Sequence, residues 1–250
     1  MIRSIDKDGT SFYAYTTEKG TNNFICPVCK HDVILKKGKI KIHHFSHKVK
    51  SECINQGETQ LHLQTKLAVY NHLKANKDVS KLMMERNLKQ VIPDVSFLYK
   101  GNYIAIEIQH SNITNELINK RMAHYRNKNI FVLWVIPDDI KYIKDQEENC
   151  VSPRLWQKHL HTMYFGNIFY IKNNIIDAYK YSGYTLNVPY GEWYEQGGEH
   201  IEVGGYDKWS KRYRTLEKKL LNCDILNNFK AVIRPTYKNI PQCKIWTLKN

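Results

Sequence analysis

The amino-acid sequence predicts an α/β fold with a mixed sheet, and three observations within residues 57–149 support this prediction. Apolar residues recur at helical spacing from position 61 to about position 75. Two alternating segments joined by Gly101-Asn102 have the pattern of a β-hairpin. An unbroken apolar run at residues 130–136, followed by Pro137, is typical of a buried strand.

The predicted elements follow one another as helix, three strands, helix and strand. After the first helix, strands are expected over residues 81–85, 90–99 and 103–109. Thr114 precedes a second helix to about residue 127, because its hydroxyl can accept a hydrogen bond from the first turn. The apolar face of this helix consists of Leu117, Ile118, Met122 and Tyr125.

Two further regions flank this predicted core. Residues 1–56 are expected to form an N-terminal module that resembles a zinc ribbon. Residues 150–250 are expected to form a smaller C-terminal region that is basic and rich in aromatic residues. Within that region, residues 207–221 have the composition of a basic helix.

Composition and charge narrow the classes of partner. The 250 residues include 38 Lys and Arg against 24 Asp and Glu, a formal net charge of +14. Such an excess favours a polyanionic partner, and we expect DNA. A membrane is not expected, because no uncharged apolar run approaches the roughly 18 residues that a spanning helix needs. The N-terminus lacks the apolar stretch of a signal peptide, so a cytoplasmic location is expected.

Two carboxylates are the strongest candidates for catalysis. Asp94 is placed on the second predicted strand and Glu107, between apolar neighbours, on the third. A buried carboxylate is costly unless it binds a cation or a partner. Two carboxylates on adjacent strands suit a hard divalent cation, Mg²⁺ or Mn²⁺, that activates water at a phosphodiester. The alternative is that Asp94 caps a turn and Glu107 pairs with a lysine.

A polar stripe on the first helix is a second candidate. Glu58, His62 and Lys66 are spaced i, i+4 and i+8, which aligns them on one face. Glu58 or His62 is expected to face the metal site as a further ligand or proton shuttle, and a solvated stripe is the alternative. Glu85 could border the site, although a surface or pairing role is favoured.

Cysteines and histidines cluster near the N-terminus. Cys26 and Cys29 form a CxxC at the tip of an expected β-ribbon, and His47 and Cys53 complete a favoured set of four structural Zn²⁺ ligands. His44 is an alternative ligand. A redox role for the CxxC is the competing interpretation, but the strand-before, helix-after context of such pairs is absent.

These motifs resemble the competence-associated CoiA family, whose members resemble PD-(D/E)xK nucleases. The matching stretches, in the family's order, are CPVC, HHFSH, GETQLH with Lys66, IPDV, AIEIQHS and the R-x-x-x-Y of Arg121 and Tyr125. The resemblance implies a PD-(D/E)xK nuclease-like αβββαβ core with Asp94 and Glu107 as metal ligands. It places Gln109 where the motif lysine is expected, and glutamine can act only by hydrogen bonding.

Basic residues are the candidates for contact with nucleic acid. Besides Lys66 and Arg121, they include Lys211, Arg212 and Arg214. The last three are interleaved with aromatic residues that could stack on unpaired bases. The alternative is an amphipathic helix whose aromatics pack inward and whose charges are only solvated.

Taken together, the sequence predicts a Mg²⁺- or Mn²⁺-dependent DNA nuclease with a structural Zn²⁺ site. By resemblance, it would process DNA in competence, recombination or defence, with a recombination or defence protein as a further partner. The alternative functions are a non-catalytic nucleic-acid-binding protein or a recombinase regulator that retains the nuclease fold. Gln109 is the residue that keeps the first of these alternatives open, whereas a regulator would use the protein surface and not the carboxylates.

Overall fold

The computed structural model describes residues 1–20, 23–39, 41–49, 53, 58–140, 143–145 and 150–249. These residues form a small antiparallel sheet near the N-terminus and a larger mixed sheet with helices packed against it. The predicted mixed α/β class is therefore confirmed. No helix in the described segments has both the length and the apolar composition needed to cross a membrane.

The N-terminal sheet has five antiparallel strands in the order β2-β1-β3-β4-β5. The strands are β1 (Arg3–Ile5), β2 (Ser11–Tyr13), β3 (Phe24–Ile25), β4 (Asp32–Lys36) and β5 (His44–His47). Phe24, Val33 and Phe45 form a small apolar core of their own. Cys26 and Cys29 lie in the turn between β3 and β4, so the ribbon tip expected from the sequence is observed.

The central region has the predicted order of helix, three strands, helix and strand. Its elements are α1 (Gln60–Lys74), β6 (Val79–Met84), β7 (Val95–Tyr99), β8 (Asn102–Ile108), α2 (Asn115–Asn127) and β9 (Ile130–Pro137). Thr114 caps α2 as predicted, because its hydroxyl accepts a hydrogen bond from the Leu117 N–H at 3.2 Å.

The predicted start of the second core strand is wrong, whereas the other predicted strand ends of the core lie within two residues of those observed. The second strand of the core, β7, begins at Val95 and not at residue 90, because the preceding residues turn back on themselves. The Leu88 N–H donates to the Val91 carbonyl at 3.0 Å and closes this turn. Asp94 therefore lies in the connection just before β7 and not on the strand.

Strand pairing brings the two candidate carboxylates to neighbouring positions. β7 and β8 are antiparallel, with Val95 opposite Ile106, so Asp94 is one step beyond this pair and Glu107 is its counterpart on β8. β8 runs parallel to β9, with Glu107 opposite Trp134. All eight residues of β9 are buried, as its unbroken apolar run predicts.

The C-terminal region adds strands to the same sheet and also forms a separate two-stranded sheet. Its elements are β10 (Ile143–Asp145), β11 (Cys150–Val151), α3 (Leu155–Met163), β12 (Ile168–Lys172), β13 (Ile175–Val188), β14 (Gly191–Tyr194), β15 (His200–Val203), β16 (Tyr206–Cys223), β17 (Phe229–Arg234) and β18 (Cys243–Leu248). β12 and β18 both pair in parallel with β9, and their apolar residues join one continuous core cluster. The predicted domain boundaries after residues 56 and 149 fall at segments outside the described residues and stay predictions.

The basic helix predicted over residues 207–221 is wrong. This segment lies within β16, an 18-residue strand paired antiparallel with β13. The lysines and arginines suggested a helix, but Trp209, Tyr213 and Thr215 favour a strand, and the distant partner β13 is what fixes it. Residues 211–214 form a bulge in this pairing, since Ser182 pairs with Thr215 and Tyr184 with Ser210.

Candidate active site

A cleft of about 540 Å³ opens where β8 ends, beside the start of α1. The candidate residues that line it are Glu58, His62, Asp94, Glu107, Gln109 and Arg121. Five of the residues predicted as catalytic thus face one cavity. A cavity of this size, lined by convergent polar groups, has the character of a substrate site.

The polar stripe of α1 faces the interior of the protein. Thr59 is the N-cap, and its hydroxyl accepts from the His62 N–H at 3.2 Å, so Glu58 stands just before the helix. His62 and Lys66 follow on the same face. The side chain of Lys66 is only 1% exposed, so the alternative of a solvated stripe is wrong.

Lys66 is held by three carboxylates at once. Its ammonium lies 2.9 Å from Glu85 Oε1 and 3.1 Å from Asp94 Oδ1, and it also donates to Glu58 Oε1. Burial alone would lower the pKa of Lys66, but the carboxylates of Glu58, Glu85 and Asp94 raise it well above its ordinary value. Lys66 is therefore a permanent buried cation.

Glu85 connects this cluster to the N-terminal sheet. Its carboxylate accepts from the backbone N–H groups of Ile2 at 2.8 Å and Arg3 at 3.1 Å, while Oε1 also contacts Lys66. Glu85 is 1% exposed. The pairing role that the sequence favoured for Glu85 is thus observed, and a surface position is not.

Asp94 is fixed from two sides. The Ile108 N–H donates to its Oδ2 at 2.8 Å, and His62 Nε2 lies 3.0 Å from its Oδ1. Burial would raise the pKa of Asp94, but His62 and Lys66 outweigh it and hold the pKa well below the usual range. Asp94 is consequently ionised at neutral pH.

Glu58, His62 and Asp94 form a compact group of candidate metal ligands. One ligand atom from each lies within 4.8 Å of the others. The Lys66 ammonium lowers the pKa of Glu58 to about 2 against the effect of burial. Two ionised carboxylates and an imidazole are a donor set that fits a divalent cation such as Mn²⁺ or Mg²⁺.

Glu107 lies outside this group although it lines the same cleft. Arg121 Nη2 donates to its two carboxylate oxygens at 2.5 and 2.6 Å, and the Tyr125 hydroxyl also donates to Oε1. Burial raises the pKa of Glu107, and the Arg121 guanidinium offsets only part of this effect. The partner of Glu107 is therefore an arginine, not the lysine of the alternative interpretation.

Gln109 faces the cleft just after β8. Its backbone N–H donates to the Val135 carbonyl at 2.9 Å, and its side-chain amide donates to the Ser111 carbonyl at 2.6 Å. The amide therefore holds the loop that follows β8, and residues of this loop line the cleft. The buried positive charge beside the carboxylates comes from Lys66 on α1.

Two family models match this chain. Residues 58–176 match the family described as "Competence protein CoiA, nuclease-like domain", and residues 10–56 match "Competence protein CoiA, N-terminal domain". The chain belongs to the CoiA family. The two matches together cover roughly two thirds of the chain, and the nuclease-like domain contains every residue lining the cleft.

A curated relative supports this membership. Over 117 residues the chain is 28% identical to "Competence protein CoiA" of Bacillus subtilis (strain 168). The match covers 45% of this chain and 31% of the Bacillus protein. The similarity to this CoiA protein is thus confined to less than half of either chain.

The N-terminal domain of this CoiA family member brings four predicted ligands together. Cys26, Cys29, His47 and Cys53 each offer an atom within 4.8 Å of the others. Cys29 Sγ lies 3.2 Å from His47 Nε2, and Cys26 Sγ lies 3.8 Å from Cys53 Sγ. His44, the alternative ligand, is outside this group, and its Nδ1 contacts the Ile42 carbonyl at 2.8 Å. A set of three thiols and one imidazole suits tetrahedral Zn²⁺.

The two thiols of the CxxC differ in acidity. Burial raises the pKa of Cys26 to about 12. Burial also acts on Cys29, but hydrogen bonds with His31 and His47 lower the pKa of its thiol to about 6. Of these two thiols, Cys29 is therefore the one that ionises more readily to the thiolate that binds a metal.

The residues expected to contact nucleic acid are placed differently from one another. Lys66 is buried among carboxylates, so the prediction that it contacts a phosphate directly is wrong. Arg121 lines the cleft and pairs with Glu107. Arg212 is exposed on the bulge of β16, whereas the side chains of Lys211 and Arg214 lie outside the described part of the structure.

Two buried contacts beside the cleft were missed by reasoning from the sequence. The hydrogen bond from the Lys66 ammonium to Glu85 joins residues that are 19 positions apart. The hydrogen bond from the Tyr125 hydroxyl to Glu107 joins helix α2 to strand β8. The alignment of Arg121 and Tyr125 on one face of α2 is the signal that points to the second contact.

Proposed function

We propose that this protein is a divalent-metal-dependent DNA nuclease that hydrolyses phosphodiester bonds in the cleft at Asp94. The observation that carries the proposal is the grouping of Glu58, His62 and Asp94 within 4.8 Å at the wall of an open cavity. Membership of the CoiA family, through its nuclease-like domain, supports the same reaction class.

The candidate residues in and beside the cleft have separate roles in this proposal. Asp94, Glu58 and His62 would hold the cation. A Mg²⁺ or Mn²⁺ ion bound there would supply an activated water and offset charge on the phosphodiester. Lys66 keeps Asp94 and Glu58 ionised and holds them at fixed positions. Gln109 orients the loop after β8 that lines the cleft.

Arg121 is the residue best placed to bind the scissile phosphate. It lines the cavity, and its side chain is 28% exposed although it is paired with Glu107. A guanidinium matches the geometry of phosphate oxygens, and the bond to Glu107, which Tyr125 also holds, would preorganise it. In this proposal Glu107 first positions Arg121, and the direct metal role expected for Glu107 requires that this pair opens.

The engagement of Glu107 also supports the second candidate, a non-catalytic nucleic-acid-binding protein with the nuclease fold. If Glu107 stays bound to Arg121 and Tyr125, its carboxylate is not free to bind the cation. The family descriptions connect either function to competence, and a role in recombination or defence remains part of the proposal.

Incubation of the purified chain with single-stranded, duplex and branched DNA, with and without Mg²⁺ or Mn²⁺, separates the two candidates. The nuclease predicts cleavage that requires the divalent cation and stops on chelation. Binding of DNA without cleavage, under all metal conditions, would favour the non-catalytic candidate.

A further inference from the structure

A β-ribbon projects from the large sheet beyond Tyr181 and Leu216. Residues 184–188 of β13 pair with residues 206–210 of β16, and β14 pairs with β15 beyond them. None of the described residues between 182 and 215 belongs to the core cluster, whereas Tyr181 and Leu216 do. We call residues 182–215 the arm. The described residues of the arm are thus held by the pairing of β13 with β16 and, at Thr215, by pairing with Cys150 of β11, and not by core packing.

The arm exposes large apolar side chains that would ordinarily be buried. Tyr194 is 73% exposed and Trp209 is 60% exposed. The other exposed large apolar residues of the arm are Leu186, Tyr190, Trp193, Val203 and Tyr206. A concentration of exposed aromatic residues on one element marks an interaction surface, since monomeric proteins rarely expose large apolar patches.

Close backbone packing keeps the arm in this shape. A side chain at Gly183 would collide with the Ser210 carbonyl oxygen, at the point where the arm leaves the sheet. A side chain at Gly204 would collide with the Pro189 carbonyl oxygen, and Gly204 has a φ of +79°. The geometry at both points therefore requires glycine.

Charge divides the arm into two oppositely charged parts. The tip, residues 182–207, contains five Asp and Glu and no Lys or Arg. All five acidic residues of the tip are exposed: Glu192, Glu195, Glu199, Glu202 and Asp207. The base strand, residues 208–219 of β16, continues four residues beyond the arm and contains six Lys and Arg against one Glu. None of the ion pairs described in the structure joins an acid of the tip to a lysine or arginine.

We propose that the arm is a self-association surface through which two copies of this chain pair, the tip of each on the base strand of the other. A two-fold interface requires a self-complementary patch, and charges of −5 and +5 on one element meet that requirement. The exposed aromatics of the tip would be the apolar contacts of this interface. A nucleic acid or an anionic membrane does not fit the tip, because both would meet like charge there.

This inference does not rest on the proposed nuclease activity. The base strand includes the cations expected to contact DNA phosphates, so the paired form and the DNA complex would compete for them. The association is therefore measured without DNA, by sedimentation of the full chain from about 50 mM to about 500 mM salt. We expect a dimer at low salt that dissociates as salt rises.

Charge reversal gives the decisive comparison. The tip variant Glu192→Lys, Glu195→Lys, Glu199→Lys and the base variant Lys208→Glu, Lys218→Glu, Lys219→Glu should each stay monomeric alone. An equimolar mixture of the two should associate, because each tip again meets a base strand of opposite charge. Recovery in the mixture also shows that both variants are folded.

The apolar part is tested with Trp193→Ser and Tyr194→Ser, which should weaken association by about tenfold or more. Tyr237→Ser, an exposed aromatic outside the arm, is the matched control and should leave it unchanged. A parent chain that is monomeric at every salt concentration would overturn the proposal. The proposal would also be overturned if the charge-reversed variants dimerised alone as the parent does. A tip variant that still dimerises but no longer binds DNA would overturn it as well.

Discussion

The ammonium of Lys66 and the carboxylate of Asp94 lie 3.1 Å apart in a part of the protein that solvent hardly reaches. The same ammonium contacts Glu58 and Glu85, so one lysine on α1 connects the N-terminal sheet to the cleft. Because removing one partner leaves buried charges uncompensated, the stability of the protein and the geometry of the site depend on the same residue.

Replacing Lys66 by methionine should lower the free energy of unfolding by about 3–5 kcal/mol, because three carboxylates lose their shared cation. Lys74→Met is the matched control, since Lys74 is exposed on the same helix, and it should change stability by less than about 0.5 kcal/mol. Chemical denaturation of the three proteins measures the difference. Equal stabilities of both variants would show that the cluster does not hold the fold together.

His62 should make two properties depend on pH in opposite directions. Although burial opposes it, Asp94 raises the pKa of His62 above its ordinary value of 6.5. A raised histidine pKa stabilises the fold below the unfolded pKa of about 6.5, and this contribution is lost as pH rises through the folded value. Mn²⁺ affinity should instead increase over the same rise in pH, because only neutral imidazole binds a metal.

The test of this pH dependence is a comparison with His62→Gln. That variant should flatten both the metal-free stability profile and the Mn²⁺ affinity profile, whereas His124→Gln, on α2 and outside the cleft, should follow the parent. Mn²⁺ affinity that is independent of pH in the parent would exclude His62 as a ligand.

The N-terminal cluster should bind one Zn²⁺ per chain and lose it on Cys29→Ser or His47→Ala. His44→Ala should keep the metal, because His44 lies on the same strand but outside the four-residue group. Elemental analysis of protein purified without chelators measures the stoichiometry. Absence of zinc from the parent, or its loss in the His44 variant alone, would contradict this assignment.

DNA affinity should depend strongly on salt and little on base sequence, given the net charge of +14. Released counterions make log K fall linearly with log salt, by about 0.7 to 0.9 per phosphate contact. Replacing Lys211, Arg212 and Arg214 by alanine should flatten this slope, while alanine at the exposed Lys74, Lys77 and Lys89 should not. A flat response in the parent, or a strong preference for one short sequence, would place recognition elsewhere.

The sequence was sufficient for elements whose pattern is local. The apolar run of β9, the Thr114 cap and the hairpin between β7 and β8 each depend on a few adjacent residues, and all are observed. The hairpin also explains why Asp94 and Glu107 could be expected near each other, since its register is set by the short turn at Gly101.

Features that depend on distant partners could not be predicted in the same way. The helix predicted over most of β16 is wrong because the strand that pairs with it, β13, is remote in sequence. The phosphate contact predicted for Lys66 is wrong because its ammonium is bound by buried carboxylates. One of them belongs to Glu85, 19 residues away, and no local sequence pattern indicates that these two residues form a pair. The choice of His47 over His44 depends on which face of β5 meets Cys29.

The central claim, that Asp94 belongs to a catalytic metal site, is tested most directly by the cleavage rate of Asp94→Asn in Mg²⁺ or Mn²⁺. Asparagine keeps the shape of the side chain while removing its charge, and circular dichroism with thermal unfolding establishes that the variant is folded. Asp78→Asn, exposed and outside the cleft, is the control. The account predicts a rate loss of about 100-fold or more, equal to about 2.7 kcal/mol of transition-state stabilisation, with the control at the parental rate. A folded Asp94→Asn variant that cuts DNA as fast as the parent would contradict it.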